Sequence, residues 1–67
     1  MTVNERAEMY LHVEEWDVAR HAVDEYVRSY YPFTADQILE FMRLEGRVFS
    51  AAVKLGEFSI RLHALAN

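Results

Sequence analysis

The side chains able to do chemistry in this sequence form a basic stripe, a pair of tyrosines and a scatter of acids and histidines. Arg43, Arg47, Lys54 and Arg61 recur at helical spacing, with Glu40 and Glu57 interleaved among them. Cationic groups in a row, with aromatic rings near enough to stack a base, are the equipment of an anion or nucleotide site. Tyr30 and Tyr31, in the stretch Ser29 to Gln37, supply such rings. Arg43, Arg47, Lys54, Tyr30 and Tyr31 are therefore the candidate ligand-binding residues. The competing reading is a solvated charged face, partly neutralised because Glu57 and Arg61 are a favourable pair four residues apart.

Metal and acid–base chemistry find less support. Glu8 and His12 lie four apart, as do Asp17 and His21, but no His-x-x-x-His or Glu-x-x-His pattern occurs. No metal site and no cofactor are expected, and these pairs read as surface ion pairs. His12 falls on an apolar side, where it is a core or interface residue, or faces its own copy in an assembly and makes that assembly pH-sensitive. Glu45 sits inside an apolar arc and needs a partner, for which Arg20, equally out of place on the first helix, is the expectation, within the chain or across an interface. No nucleophile, base and orienting group converge, so the expectation is a protein that is not an enzyme.

Two helices must position these residues. Thr2-Val3-Asn4-Glu5 is a capping box, and no Gly or Pro follows until Pro32. Met9, Val13, Trp16, Val23, Val27 and Tyr30 trace a bundle-type seam in which Arg20 is the one member that is not apolar, and Leu11, Val18 and Ala22 form a narrower strip beside it. Pro32 stops this helix. Thr34 and Gln37 repeat the capping box, and Phe33 is placed to staple onto Ile38. The predicted fold is all-α: one domain over residues 1–67, with a helix at about 3–30, a turn at about 31–34 and an antiparallel helix at about 35–65. Gly46 and Gly56 fall in the second helix, and the apolar period runs through both in phase. They are read as points of close helix approach, in preference to a break at Gly46.

The second helix is apolar around well over half its circumference, from Ile38 through Phe41, Phe49 and Leu55 to Leu62. A hairpin covers only one stripe of each helix, so the excess predicts a homo-oligomeric bundle, most simply a dimer of four helices. Trp16, Val23, Val27, Phe41, Phe49 and Leu55 are the candidate interface residues.

Composition points the same way. A chain of 67 residues with no cysteine has neither disulfides nor thiolate metal sites to support a small core. Its 52% hydrophobic and 13% aromatic content is too rich for disorder. No apolar run reaches the ~20 residues of a membrane span, and Met1 to Tyr10 lacks the basic and apolar regions of a secretory signal. A cytoplasmic protein is expected. The net charge of −4 argues against nonspecific nucleic-acid binding.

The stretch Arg43-Leu44-Glu45-Gly46-Arg47-Val48-Phe49-Ser50-Ala51-Ala52 resembles the long helix of small phage proteins that sequester cyclic oligonucleotide signals in antiviral defence. The resemblance implies a compact helical hairpin that assembles into oligomers and holds its ligand between subunits. It assigns no ligand-contacting residue, because no position-by-position match exists. The architecture also resembles plasmid RNA-regulator hairpins that dimerise into four-helix bundles. The expected function is a homo-oligomeric binding protein that sequesters a small anionic ligand such as a signalling nucleotide, an anti-defence factor of a phage or mobile element. The alternatives are an inhibitor or adaptor acting on a host protein and, behind it, an RNA-binding regulator.

Overall fold

The structure, a computed structural model, describes residues 1–66 apart from the side chains of residues 65 and 66. Helix α1 spans Val3–Tyr30 and α2 spans Ala35–Ala66. Both start on the capping boxes read from sequence. The Glu5 amide donates to the Thr2 hydroxyl at 3.1 Å while the Thr2 amide donates back to the Glu5 carboxylate at 2.7 Å. Gln37 and Thr34 repeat the exchange at 3.3 and 2.9 Å. Each box satisfies amides that have no partner within the helix. At the other end of α1, Tyr31 turns extended, with φ −69° and ψ 136°, as the residue before a proline must.

The helices pack antiparallel. Glu8 meets Arg61 near one end, the His12 and Phe58 rings lie 5.3 Å apart one turn further in, and Phe33 and Phe41 close the turn at 5.2 Å. The hairpin is a rod of 49 × 17 × 11 Å with a radius of gyration of 15.4 Å. A globule of this length would have about 11 Å.

The packed seam follows heptads. On α1 it runs Glu5, Met9, His12, Trp16, Ala19, Val23, Tyr26, in alternating steps of four and three. On α2 it runs Phe41, Leu44, Val48, Ala51, Leu55, Phe58, Leu62. This spacing keeps one stripe facing a partner helix. The α1 seam expected from apolarity drifts one position, to Val13, Arg20 and Tyr30, which are 38%, 62% (side chain) and 50% exposed respectively. His12, Ala19 and Tyr26 take the inward places instead. Ala19 and Ala51 are both buried in the middle of the rod, so small side chains bring the two backbones together there.

The Phe33 ring lies 5.6 Å from Tyr26, 5.7 Å from Tyr31 and 5.2 Å from Phe41, so it packs across the closed end of the hairpin. Other local expectations are also corrected. Within the hairpin Arg20 does not reach Glu45. It bonds Asp17 at 3.0 Å and lies over the Trp16 ring at 4.9 Å, because a side chain on the outer face has no route across the rod. His21 pairs with Glu25 rather than Asp17, and Arg61 with Glu8 rather than Glu57. Helix α2 runs unbroken through Gly46 and Gly56, and a Cβ at either would meet nothing within 4 Å, so neither marks a close approach within the hairpin.

Among the residues expected at an interface, Trp16, Val23, Phe41 and Leu55 are half-buried between the chain's own helices, and Val27 is half-buried beside them. Phe49 alone points away, 71% exposed. With it on the outward side of α2 stand Leu39, Met42, Val53 and Ile60, all exposed. No helix among the described residues is long and apolar enough to cross a membrane.

Candidate functional site

A groove of about 890 Å³ runs along one side of the rod. Between the helices it is lined by the buried Ala19 and Ala51, whose small side chains leave room there, and Gly46 lines it from the exposed side of α2. Helix α1 contributes Leu11, Glu14, Glu15 and Val18 to one wall, and α2 contributes Arg43, Arg47, Ser50 and Lys54 to the other. The α-helical repeat explains both walls. Leu11 and Val18 are one heptad apart with the two acids between them, and Arg43, Arg47, Ser50 and Lys54 climb the helix in steps of three and four.

Three of the five candidate ligand residues, Arg43, Arg47 and Lys54, thus share one wall. The tyrosines stand apart. Tyr30 stacks on Tyr26 at 4.7 Å, and Tyr31, 73% exposed, makes an edge contact with Phe33 at 5.7 Å. Arg43 begins roughly 14 Å of helix beyond the turn that carries them, counted at 1.5 Å per residue. The groove therefore has no aromatic wall, and its apolar surface comes from Leu11 and Val18. The sequence shows these two as a narrow strip, but nothing in the pattern says which helix face that strip will meet.

The cations differ in availability. Arg43 Nε donates to the Glu40 carboxylate at 2.9 and 3.2 Å, and its Nη2 also bonds that group. These hydrogen bonds hold the Glu40 carboxyl below the usual carboxylate range and push the Arg43 guanidinium further above its already high value. Arg47 and Lys54 form no ion pair with any other described residue. Glu14 and Glu15, on the opposite wall, are likewise outside every ion pair among the described residues. The groove thus offers cations on its α2 wall, and carboxylates with apolar Leu11 and Val18 among them on its α1 wall.

A second cluster lies at the open end of the rod. The Arg61 guanidinium bonds Glu8 at 3.1 Å and lies 5.1 Å over the Phe58 ring, while His12 Nε2 is 3.7 Å from the same Glu8 carboxylate. The other ring nitrogen of His12, Nδ1, is buried with no hydrogen-bond partner. Among the described residues no group of three or more His, Cys, Asp or Glu side chains gathers as a metal would require. No family model matches the sequence, and neither a curated protein nor a solved structure is matched by it.

Proposed function

We propose that this chain is a non-enzymatic binding protein that works as a homo-oligomer and sequesters a small anionic ligand, of the signalling-nucleotide class, in the groove between α1 and α2. The observation that carries the reading is the wall on which Arg47 and Lys54, unpaired among the described residues, stand beside Arg43. A nucleotide carries groups suited to each surface. Its phosphates would take Arg47 and Lys54, its ribose hydroxyls or base amino group would donate to Glu14 and Glu15, and its base would lie against Leu11 and Val18. The groove volume falls within the usual range for small-molecule sites, about 300–1,000 Å³. The resemblance of Arg43 to Ala52 to phage proteins that sequester cyclic oligonucleotides agrees with this class of ligand and with an anti-defence role. Isothermal titration with cyclic mono-, di- and oligonucleotides tests it. Heat is expected from at least one, abolished in an Arg47→Ala/Lys54→Ala variant that keeps its helical circular dichroism. No heat from any of them overturns the reading.

A second reading, an inhibitor or adaptor for a host protein, is favoured by the exposed apolar side of α2. Affinity capture separates the two, since sequestration recovers a small molecule and inhibition a stoichiometric protein.

A further inference from the structure

Helix α2 has two seams. The inward one packs on α1. The outward one contains Leu39, Met42, Phe49, Val53 and Ile60, and when Gly46 and Gly56 are included its steps alternate between three and four throughout. That is knobs-into-holes spacing, and at 100° per residue it lies on the side of α2 opposite to Leu44, Ala51 and Phe58. Nothing in the hairpin uses it. The five large side chains are exposed, and both glycines look into open space although a helix interior disfavours glycine. The hairpin also lacks core: among the described residues the buried apolar ones are Ala19, Leu44, Ala51 and Phe58, and two of these are alanines. A hairpin with so small a core gains stability from any further apolar burial.

We propose that the outward seam of α2 seats a second copy of the chain, running antiparallel, with the two-fold axis passing beside Phe49. The proposal rests on the homo-oligomeric reading above and assigns its face, direction and register. Reversing the seam against itself places Leu39 against the partner's Ile60, Met42 against the partner's Gly56, Gly46 against the partner's Val53, and Phe49 beside its own copy. Each glycine then receives a large apolar side chain as the hole receives a knob. A parallel, in-register pairing would set glycine against glycine twice and leave two layers empty, which close packing does not tolerate.

Charge selects the same alignment. In an antiparallel pair the positions flanking one edge of the seam face their own kind, which brings Arg43 to the partner's Glu57 and, by symmetry, Glu57 to the partner's Arg43. A parallel pair would leave Glu57 beside Ala52 and Arg43 beside Ile38, with no ion pair on either edge. Within one hairpin Glu57 enters no ion pair among the described residues, so it is available for this contact.

Sedimentation velocity over a range of chain concentrations, with engineered cysteines in a chain that has none, tests each part. The wild type is expected to sediment as a dimer. Gly46→Leu is the informative variant, since a Cβ there meets nothing within 4 Å, the position is exposed and leucine is the better helix former, so an unfolded chain does not account for its effect. It should keep full helicity while the dimer weakens at least about tenfold, as overpacked contacts do. Phe49→Arg should do the same. Leu39→Cys and Ile60→Cys chains should form a mixed disulfide when combined and none when oxidised alone. A wild-type oligomer untouched by Gly46→Leu and Phe49→Arg would refute this face while leaving the homo-oligomeric reading standing. Self-linking of Leu39→Cys would refute the antiparallel direction. A wild type that sediments as one hairpin at every concentration would overturn both this proposal and the reading it rests on.

Discussion

Replacing His12 by leucine should stabilise the protein. The imidazole occupies an inward heptad position, and its Nδ1 is buried without a partner. An unsatisfied buried nitrogen costs about 1–3 kcal/mol. Against that stand the contacts the ring makes. Its tilted packing on Phe58, with centroids 5.3 Å apart, is of a kind worth about 0.5–1.5 kcal/mol. The 3.7 Å approach to Glu8, whose side chain is 46% exposed, is an ion pair of the weak, solvent-screened kind. Leucine has nearly the same bulk, keeps apolar contact with Phe58 and needs no hydrogen bond, so overpacking does not enter. The balance is a gain of about 1 kcal/mol, which for a domain of this size raises Tm by about 4–8 °C. Thermal unfolding followed by circular dichroism, at matched chain concentration because assembly would also shift Tm, measures it directly. A Tm lowered by the substitution would mean that Nδ1 has a partner in solution or that the ring's contacts outweigh its desolvation, and the reasoning would fail.

Phe58→Ala should have the opposite effect. Its ring is the most buried in the chain, at 3% exposure, and such truncations cost about 3–5 kcal/mol, enough to unfold a small hairpin; urea titration should show a collapsed midpoint. Thr2→Ala removes the α1 cap and should cost about 1 kcal/mol, read as fraying of the first turn by amide hydrogen exchange. The hydrogen bond from the Thr2 amide holds the Glu5 carboxyl below its ordinary range, so its contribution is present above that range and lost as pH falls through the depressed value. Glu5→Gln should flatten this acid-side loss of α1 helicity, and an unchanged profile would exclude the carboxylate as its source. Glu40→Gln frees Arg43 from its partner on the rim of the groove and should tighten anion binding several-fold in the titration proposed above.

Legibility in the sequence divides along physical lines. The helix limits were readable because their signals are local: Thr2 with Glu5, Pro32, and Thr34 with Gln37 each act within a few residues. Met9, Trp16 and Val23 of the α1 seam are legible from apolarity, but His12 and Ala19 are not, because hydrophobicity ranks Val13 above them. Heptad geometry, however, fixes which positions face inward whatever occupies them, and in mid-rod the packing prefers an alanine to a valine. The ring contacts of Phe33 with Tyr26 and Phe41 are not legible locally, because those residues lie on two different helices. The basic wall was visible in α2 alone. Its acidic counterpart, Glu14 and Glu15, could be placed only once the register between the helices was known.

The groove and the outward seam share Gly46, which lines the outer edge of the groove and is also one of the two small positions on the outer face of α2. Arg43 links them too, standing on the groove wall and flanking the seam. A second copy seated on that seam would thus bring its own α2 to the edge of the groove and add a wall that one hairpin lacks. Ligand and partner would then bind with a shared free energy, and linkage requires each to strengthen the other by the same factor. Ligand affinity should consequently fall when the chain is diluted below its dimer dissociation constant, and Gly46→Leu should weaken ligand binding although leucine removes no charged or hydrogen-bonding group. Phe49→Arg separates the effects, because Phe49 lies in the seam and outside the groove lining. If Phe49→Arg yields a monomer that binds nucleotide as tightly as the wild type, the groove is complete within one hairpin and the two surfaces act independently.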